Sequence, residues 1–250
     1  VARGADSVEG RRALFLMRIA CPSCVVITRG SHEPLTCGLG SFLTESFNKM
    51  STNLEAEMFF NECHNVFNYL PLGYVINEKY FVCHGGLPDH FDVSIFRNTD
   101  KPNFNPVQLG LMTSLLWNDP FDGFGMRPSK RGGSALEFGL DVTMGFLKRR
   151  DINLLIRSHE YASQGVFYSH DKRCLTVFSA PNYCGGNGVG VVMRIKDDLS
   201  YRILPIRTDG IMHPRHNQFL ASGHEEEMPC SLVPSSPKRP SRNESFGRVI

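Results

Sequence analysis

The sequence lacks any run of roughly 18 to 20 consecutive apolar residues, the length a helix needs to cross a bilayer, so a helical membrane span is excluded. It also lacks net charge. Its 27 Lys and Arg against 25 Asp and Glu leave +2, too little for a general attraction to nucleic acid or acidic membranes, and neither is an expected partner. No basic segment leads into an apolar run and cleavage site at the start. The first residue is Val rather than Met, which leaves processing, truncation and an incomplete gene as readings of that end. A dense cysteine framework is missing too: eight cysteines are scattered over 250 residues, a length that needs no disulfide staples. The expectation is a reduced, intracellular protein, cytoplasmic or nuclear.

What is present is enough apolar residue, 41% against 21% charged, to bury one sizeable core. Short β-rich runs recur before polar or glycine punctuation. They are Cys24–Thr28 before Arg29-Gly30, Lys79–Cys83 before His84-Gly85-Gly86, Asn153–Ile156 before Arg157-Ser158-His159, and Cys174–Phe178 before Ser179-Ala180-Pro181. Gly188–Ile195 is expected to pair with Tyr201–Leu204 across an Asp-Asp-Leu-Ser turn. Helical spacing marks Ser7–Ile19, Leu54–Asn68 and Leu140–Arg149. The fold class is therefore α/β, with one domain over 1–212. From about His213 the sequence turns to Pro, Ser and charge, and 213–250 is expected to be a flexible tail.

His32, His84 and His159 each stand one to three residues beyond an expected strand, where loops of an open α/β sheet converge on one edge and can assemble a metal site. Taken singly, each is more often a satisfied structural histidine. Gly85 and Gly86 permit a tight turn close to a bound ion or anion, and are otherwise an ordinary glycine turn. Arg3, Arg29, Arg131 and Arg157 lie beside these motifs; a guanidinium fork fits two phosphoryl oxygens, the alternative being solvated surface arginine. Cys21-Pro22-Ser23-Cys24 has the spacing of a zinc half-site or a redox pair, with Cys63-His64 as the nearest further ligands; the simpler reading is packing at the start of a strand.

Four segments in order, Arg29-Gly30-Ser31-His32-Glu33, His84-Gly85-Gly86-Leu87, Arg157-Ser158-His159-Glu160 and Ser179-Ala180-Pro181-Asn182-Tyr183-Cys184, resemble motifs of the phosphoprotein phosphatase family of serine/threonine phosphatases. Leu115–Pro120 and Lys130–Ser134 agree with its connecting segments, and Ser129–Cys184 is closest in wording to the protein phosphatase five and EF-hand-bearing branches. The resemblance implies a metallophosphoesterase fold, a central β-sandwich flanked by helices, here without its N-terminal strands. It implies hydrolysis of phosphoserine and phosphothreonine by a water activated between two divalent ions of Mn, Fe or Zn type. Phosphoprotein substrates and regulatory subunits are the implied partners.

Carried over residue by residue, His84 and His159 match ligands of the second metal, with Ser31 at the position of an Asn ligand. His32 matches the histidine that protonates the leaving oxygen. Arg3 and Arg131 match the substrate-phosphate arginines, and Tyr183 a tyrosine of the phosphate cleft. Two departures stand at chemical positions. Ala2 replaces an Asp that holds the catalytic histidine, and Ser31 offers a shorter, weaker ligand than Asn. The first-metal ligands are absent from this chain. Impaired turnover is expected, and the alternative is a catalytically dead pseudophosphatase that binds phosphoproteins or acts as a scaffold.

Overall fold

The computed structural model describes residues 6–38, 41–96, 104–206 and 247–249. Among them run the helices α1 (Ser7–Ala20), α2 (Leu35–Gly38), α3 (Ser41–Lys49), α4 (Asn53–Phe67), α5 (Pro106–Trp117) and α6 (Leu140–Arg150). The strands are β1 (Gly73–Ile76), β2 (Tyr80–Cys83), β3 (Asp119–Pro120), β4 (Met126–Pro128), β5 (Leu136–Phe138), β6 (Leu154–Arg157), β7 (Val166–Ser169), β8 (Cys174–Val177), β9 (Val191–Ile195), β10 (Tyr201–Pro205) and β11 (Gly247–Val249). Six form one sheet in the order β11-β1-β2-β6-β8-β7, in which β2–β6 and β6–β8 are parallel. A β9–β10 hairpin and a small β3-β5-β4 sheet complete the framework.

Alternation along the central strands sorts their side chains onto two faces. Phe81, Cys83, Leu155 and Cys174 join a core with Leu115, Leu116, Phe138 and Phe146, which covers one face with α5 and α6. Tyr80, Leu154, Ile156 and Leu175 face the hairpin residues Met193, Ile195, Tyr201 and Ile203. The result is a helix-flanked β-sandwich, as the sequence predicts, with its second layer reduced to the hairpin among the described residues. The hairpin turn falls at the expected place, with Ile195 opposite Tyr201.

A separate helical layer packs α1, α3 and α4 around Val8, Phe42, Phe60, Cys63 and Phe67. Arg11 lies buried in it with its guanidinium 3.3 Å from the Phe42 ring centre, a cation–π contact that offsets part of its burial. Local chemistry sets the helix ends. The Thr52 side chain caps α4 at Glu55 N, and Asn105 and Gln108 make a reciprocal capping box ahead of Pro106 on α5. At the end of α6, Asp151 turns left-handed after Lys148, Arg149 and Arg150, which match the helix dipole.

Three expectations need correction or placement. Cys24–Thr28 forms no strand: a β-rich run needs a ladder partner, and among the described residues the next backbone bond in this segment is Arg29 N to Pro71 O at 2.8 Å. Cys63 and His64 are core residues of the helical layer, not zinc ligands. The expected tail, 213–250, lies outside the described residues except Gly247–Val249, which pairs antiparallel with β1.

Gly85 and Gly86 earn their place by packing. A Cβ on Gly85 would stand 2.5 Å from the Leu116 carbonyl carbon, and one on Gly86 would stand 2.0 Å from the buried Phe138 ring. Gly86→Ala should therefore cost about 1–3 kcal/mol by overpacking, read as a lower midpoint in urea unfolding; an unchanged midpoint would show that Phe138 yields. A second expectation concerns pH. Burial lowers the pKa of both His64 and His170. His64 uses Nδ1 on Phe60 O at 2.8 Å, and its buried Nε2 has no partner, so protonation would strand an N–H among aromatic rings. A depressed folded pKa means the unfolded chain binds the proton more readily. Stability is then complete above the ordinary histidine value of 6.5 and is lost as pH falls below it. The melting temperature should drop between pH 7.5 and 5.5, ahead of carboxylate titration, and substituting His64 and His170 should flatten that slope.

Candidate active site

The turn Arg29–Glu33 closes on itself. Gly30 N donates to Glu33 Oε2 at 2.6 Å and Glu33 N to Gly30 O at 3.3 Å, a contact so close that a Cβ on Gly30 would meet the carboxylate at 2.4 Å. Ser31 and His32 sit at the tip of this turn. From the end of β2 comes His84, whose Nε2 is bonded to Ser31 Oγ at 3.0 Å. From the end of the adjacent parallel strand β6 comes His159, with its ring 5.2 Å from that of His84. Trp117, at the end of α5, touches both sides: its ring lies 6.2 Å from His32 and 5.3 Å from His159. The three histidines expected to converge do converge, although the first arrives on a loop.

Asp119 is the centre of the charge arrangement. Its Oδ1 accepts from Arg157 at 2.5 Å and from His159 Nδ1 at 2.8 Å, while its Oδ2 accepts from Arg131 Nε at 2.5 Å. Burial alone would raise its pKa, but the His159 hydrogen bond and the two arginines outweigh it and hold the carboxyl below its ordinary range. Burial lowers the pKa of His159 despite Asp119, and lowers that of His84 further, helped by the neighbouring His159 and Arg157. Burial thus favours the neutral form of both rings. Asp119 fixes the His159 tautomer with the proton on Nδ1, so its Nε2 carries the lone pair, an arrangement typical of metal-ligating histidine.

The arginines divide into two kinds. Arg157 is fully buried and donates to Gly85 O at 2.7 Å, Asn118 O at 3.2 Å and Glu160 at 2.7 Å as well as to Asp119. Arg29 is buried and donates to Asn68 Oδ1 at 3.0 Å. Neither is a surface group or a free phosphate fork. Arg131 differs: 42% of its side chain is exposed, and with Nε on Asp119 its two terminal nitrogens make no hydrogen bond among the described residues. It lines a cleft of about 610 Å³ shared with Asp119, Glu160, Arg127, Lys130 and Tyr168. Tyr183 sits in a short 3-10 turn, stacked at 6.2 Å on Tyr161 and edge-on at 5.1 Å to Phe178. Arg3 and Ala2 lie outside the described residues.

No group of three or more His, Cys, Asp or Glu side chains able to hold a metal is gathered among the described residues. His84 and His159 supply two imidazoles and Ser31 a hydroxyl already engaged by His84, short of the four or more donors a Zn, Mn or Fe ion takes. The Cys21–Cys24 pair is a disulfide, not half of a zinc site, which corrects the expectation of reduced cysteines for this pair, while Cys37, Cys63, Cys83, Cys174 and Cys184 are free thiols. Reading the sequence alone missed Asp119, Trp117 and Glu160. Only the Leu-Leu-Trp-Asn-Asp-Pro wording at 115–120 pointed toward the first two.

Comparison with known proteins agrees with this geometry. The calcineurin-like phosphoesterase family profile matches residues 1–163. Serine/threonine-protein phosphatase 5 of Arabidopsis thaliana is 44% identical over 191 residues, 75% of this chain and 34% of that protein. The Homo sapiens protein of the same name is 34% identical over 245 residues, 93% of this chain and 44% of its own length. The chain thus spans less than half the length of these curated relatives. A solved Saccharomyces cerevisiae protein serine/threonine phosphatase, described as similar to human phosphatase PP5, superposes with a TM-score of 0.72 at 32% identity, covering 85% of this chain and 69% of that one. Since the matched span holds the Arg29–Glu33 turn, both strand-end histidines and the Asp119–Arg131 pair, the chain belongs to the calcineurin-like phosphoesterase family.

Proposed function

We propose that this domain binds phosphoserine and phosphothreonine in proteins and hydrolyses the ester, at a rate lowered by Ser31. The observation that carries the reading is Arg131: Asp119 grips its Nε, which orients the fork and leaves the terminal nitrogens for two phosphoryl oxygens. His32, on the self-closed turn and beside Trp117, is the group that gives a proton to the departing serine or threonine oxygen. The family's divalent ions supply the activated water when bound; the described side chains themselves bind phosphate, orient it and supply the proton. Regulatory partners beyond the described domain, and a cytoplasmic or nuclear setting, belong to the same proposal.

One observation favours a second reading. Ser31 is hydrogen-bonded to the Nε2 of His84 and no three-ligand group is gathered among the described residues, which suits a phosphoprotein-binding protein without turnover. A phosphopeptide hydrolysis assay with added Mn, paired with a metal count and a binding isotherm, separates the two. Under the phosphatase reading, Arg131→Ala raises KM by about tenfold or more, while His32→Gln lowers kcat by about 10²–10⁴ and leaves KM near its original value. Binding that survives without turnover, and vanishes in Arg131→Ala, would establish the scaffold reading instead. Replacing Ser31 with Asn supplies a longer oxygen donor, so metal content and kcat should both rise; rates and metal content that stay flat would clear Ser31 of responsibility.

A further inference from the structure

The feature that the phosphatase reading leaves unused is the exposed turn between α1 and the Arg29–Glu33 segment. We propose that Cys21–Cys24 is a thiol–disulfide exchange site, reduced by small or protein-borne dithiols, and that its redox state sets how firmly the connection to Ser31 and His32 is held.

Several observations place that chemistry there. The disulfide closes a four-residue turn, Cys21-Pro22-Ser23-Cys24, in which Pro22, Ser23 and Cys24 are exposed and Cys21 is half-buried. The Ser23 hydroxyl lies 3.9 Å from Cys21 Sγ and 4.0 Å from Cys24 Sγ, within reach of whichever sulfur becomes a thiolate. Arg18 puts a full positive charge on the turn, donating through one nitrogen to Pro22 O and, at 2.8 Å, to Val25 O. The carbonyl end of α1 opposes a thiolate with the equivalent of about half a charge, so the guanidinium outweighs it. Cys-x-x-Cys pairs near a cation are the reactive kind. The three buried thiols contrast with this pair: burial pushes Cys63 up to about 11 and Cys83 and Cys174 up to about 12.

The exchange balances without further reagents. A thiolate of the incoming dithiol attacks Sγ of Cys24, the more exposed sulfur; the Cys21–Cys24 bond breaks, and Cys21 leaves as the thiolate beside Ser23. The second thiolate of the dithiol then attacks its own half of the mixed disulfide and releases Cys24. Two electrons have passed to the protein, the dithiol has become a disulfide, and the two new thiolates take up the two protons the dithiol lost.

The consequence follows from how little else holds the connection. No backbone N–H of Val26, Ile27 or Thr28 finds a partner among the described residues, so the segment is pinned at one end by the closed turn and at the other by Arg29 N on Pro71 O. Opening the disulfide removes the covalent closure of the first pin and leaves that end to the hydrogen bonds of Val25 N on Cys21 O and of Arg18 on Val25 O.

The test uses the purified chain kept free of reductant. Millimolar dithiothreitol, without denaturant, should add two N-ethylmaleimide labels at Cys21 and Cys24, seen by peptide mass spectrometry, while Cys63, Cys83 and Cys174 stay unlabelled; oxidised glutathione should remove that reactivity. Exposed Cys184 serves as the label control in both states. Hydrogen exchange in a peptide covering 25–33 should quicken several-fold on reduction and match that of a Cys21→Ser/Cys24→Ser double variant, with residues 153–158 unchanged. A pair that resists reduction until the protein is unfolded would overturn the exchange site, as would one isolated as two thiols that oxidised glutathione does not close. Unaltered exchange at 25–33 in both the reduced protein and the double variant would overturn the coupling to the Ser31–His32 turn.

Discussion

The buried carboxylate of Asp119 is the constraint around which the site is built. Three cationic or proton-donating groups from two parts of the chain reach it: Arg157 at the end of β6 with His159 just beyond, and Arg131 from the loop after β4. The negative charge is tolerated in the interior because every partner donates to it. The dependence also runs the other way, since Arg157 is fully buried and without Asp119 would keep Glu160 alone as a carboxylate partner. One side chain therefore fixes the His159 tautomer, aims the Arg131 fork and neutralises the strongest charge beneath the sheet edge.

Backbone proximity does the remaining positioning. Gly85 N donates to Leu115 O at 2.7 Å and Ser158 N to His84 O at 3.0 Å, so the end of β2 is tied on one side to α5 and on the other to the residue preceding His159. These bonds exist because the glycines after His84 let α5 and Phe138 approach within distances that a side chain would forbid. The same approach brings Trp117 against the histidines. Packing and chemistry at this edge are one arrangement.

Much of this was legible in the sequence, for identifiable reasons. Lys79–Cys83 and Asn153–Ile156 are short apolar runs with glycine or polar residues behind them, and each ends in a strand carrying a histidine at its tip, so pattern alone located His84 and His159. Cys24–Thr28 carries an equally good pattern and is not a strand, because pattern reports what a residue run favours and not whether a neighbour exists to pair with it. Asp119 was hidden for another reason: an Asp in an Asn-Asp-Pro sequence looks like a turn, and only three-dimensional convergence shows three donors meeting on it. Arg29 and Arg157 were misread because charge predicts exposure, whereas buried acceptors at Asn68, Gly85 and Asp119 make their burial tolerable.

The parallel pairing of β2 with β6 also fixes when the site can appear during folding. Tyr80 pairs with Leu154, so α5, the small three-stranded sheet and α6 all lie in the connection that must be closed before the two strands meet. Loop closure of that length precedes any reward from the pairing and makes such contacts slow to form. His84 and His159 are carried on opposite sides of that closure, and the turn bearing Ser31 and His32 joins them from a third part of the chain. The site therefore requires that closure, whereas the local helices and the β9–β10 hairpin do not depend on it.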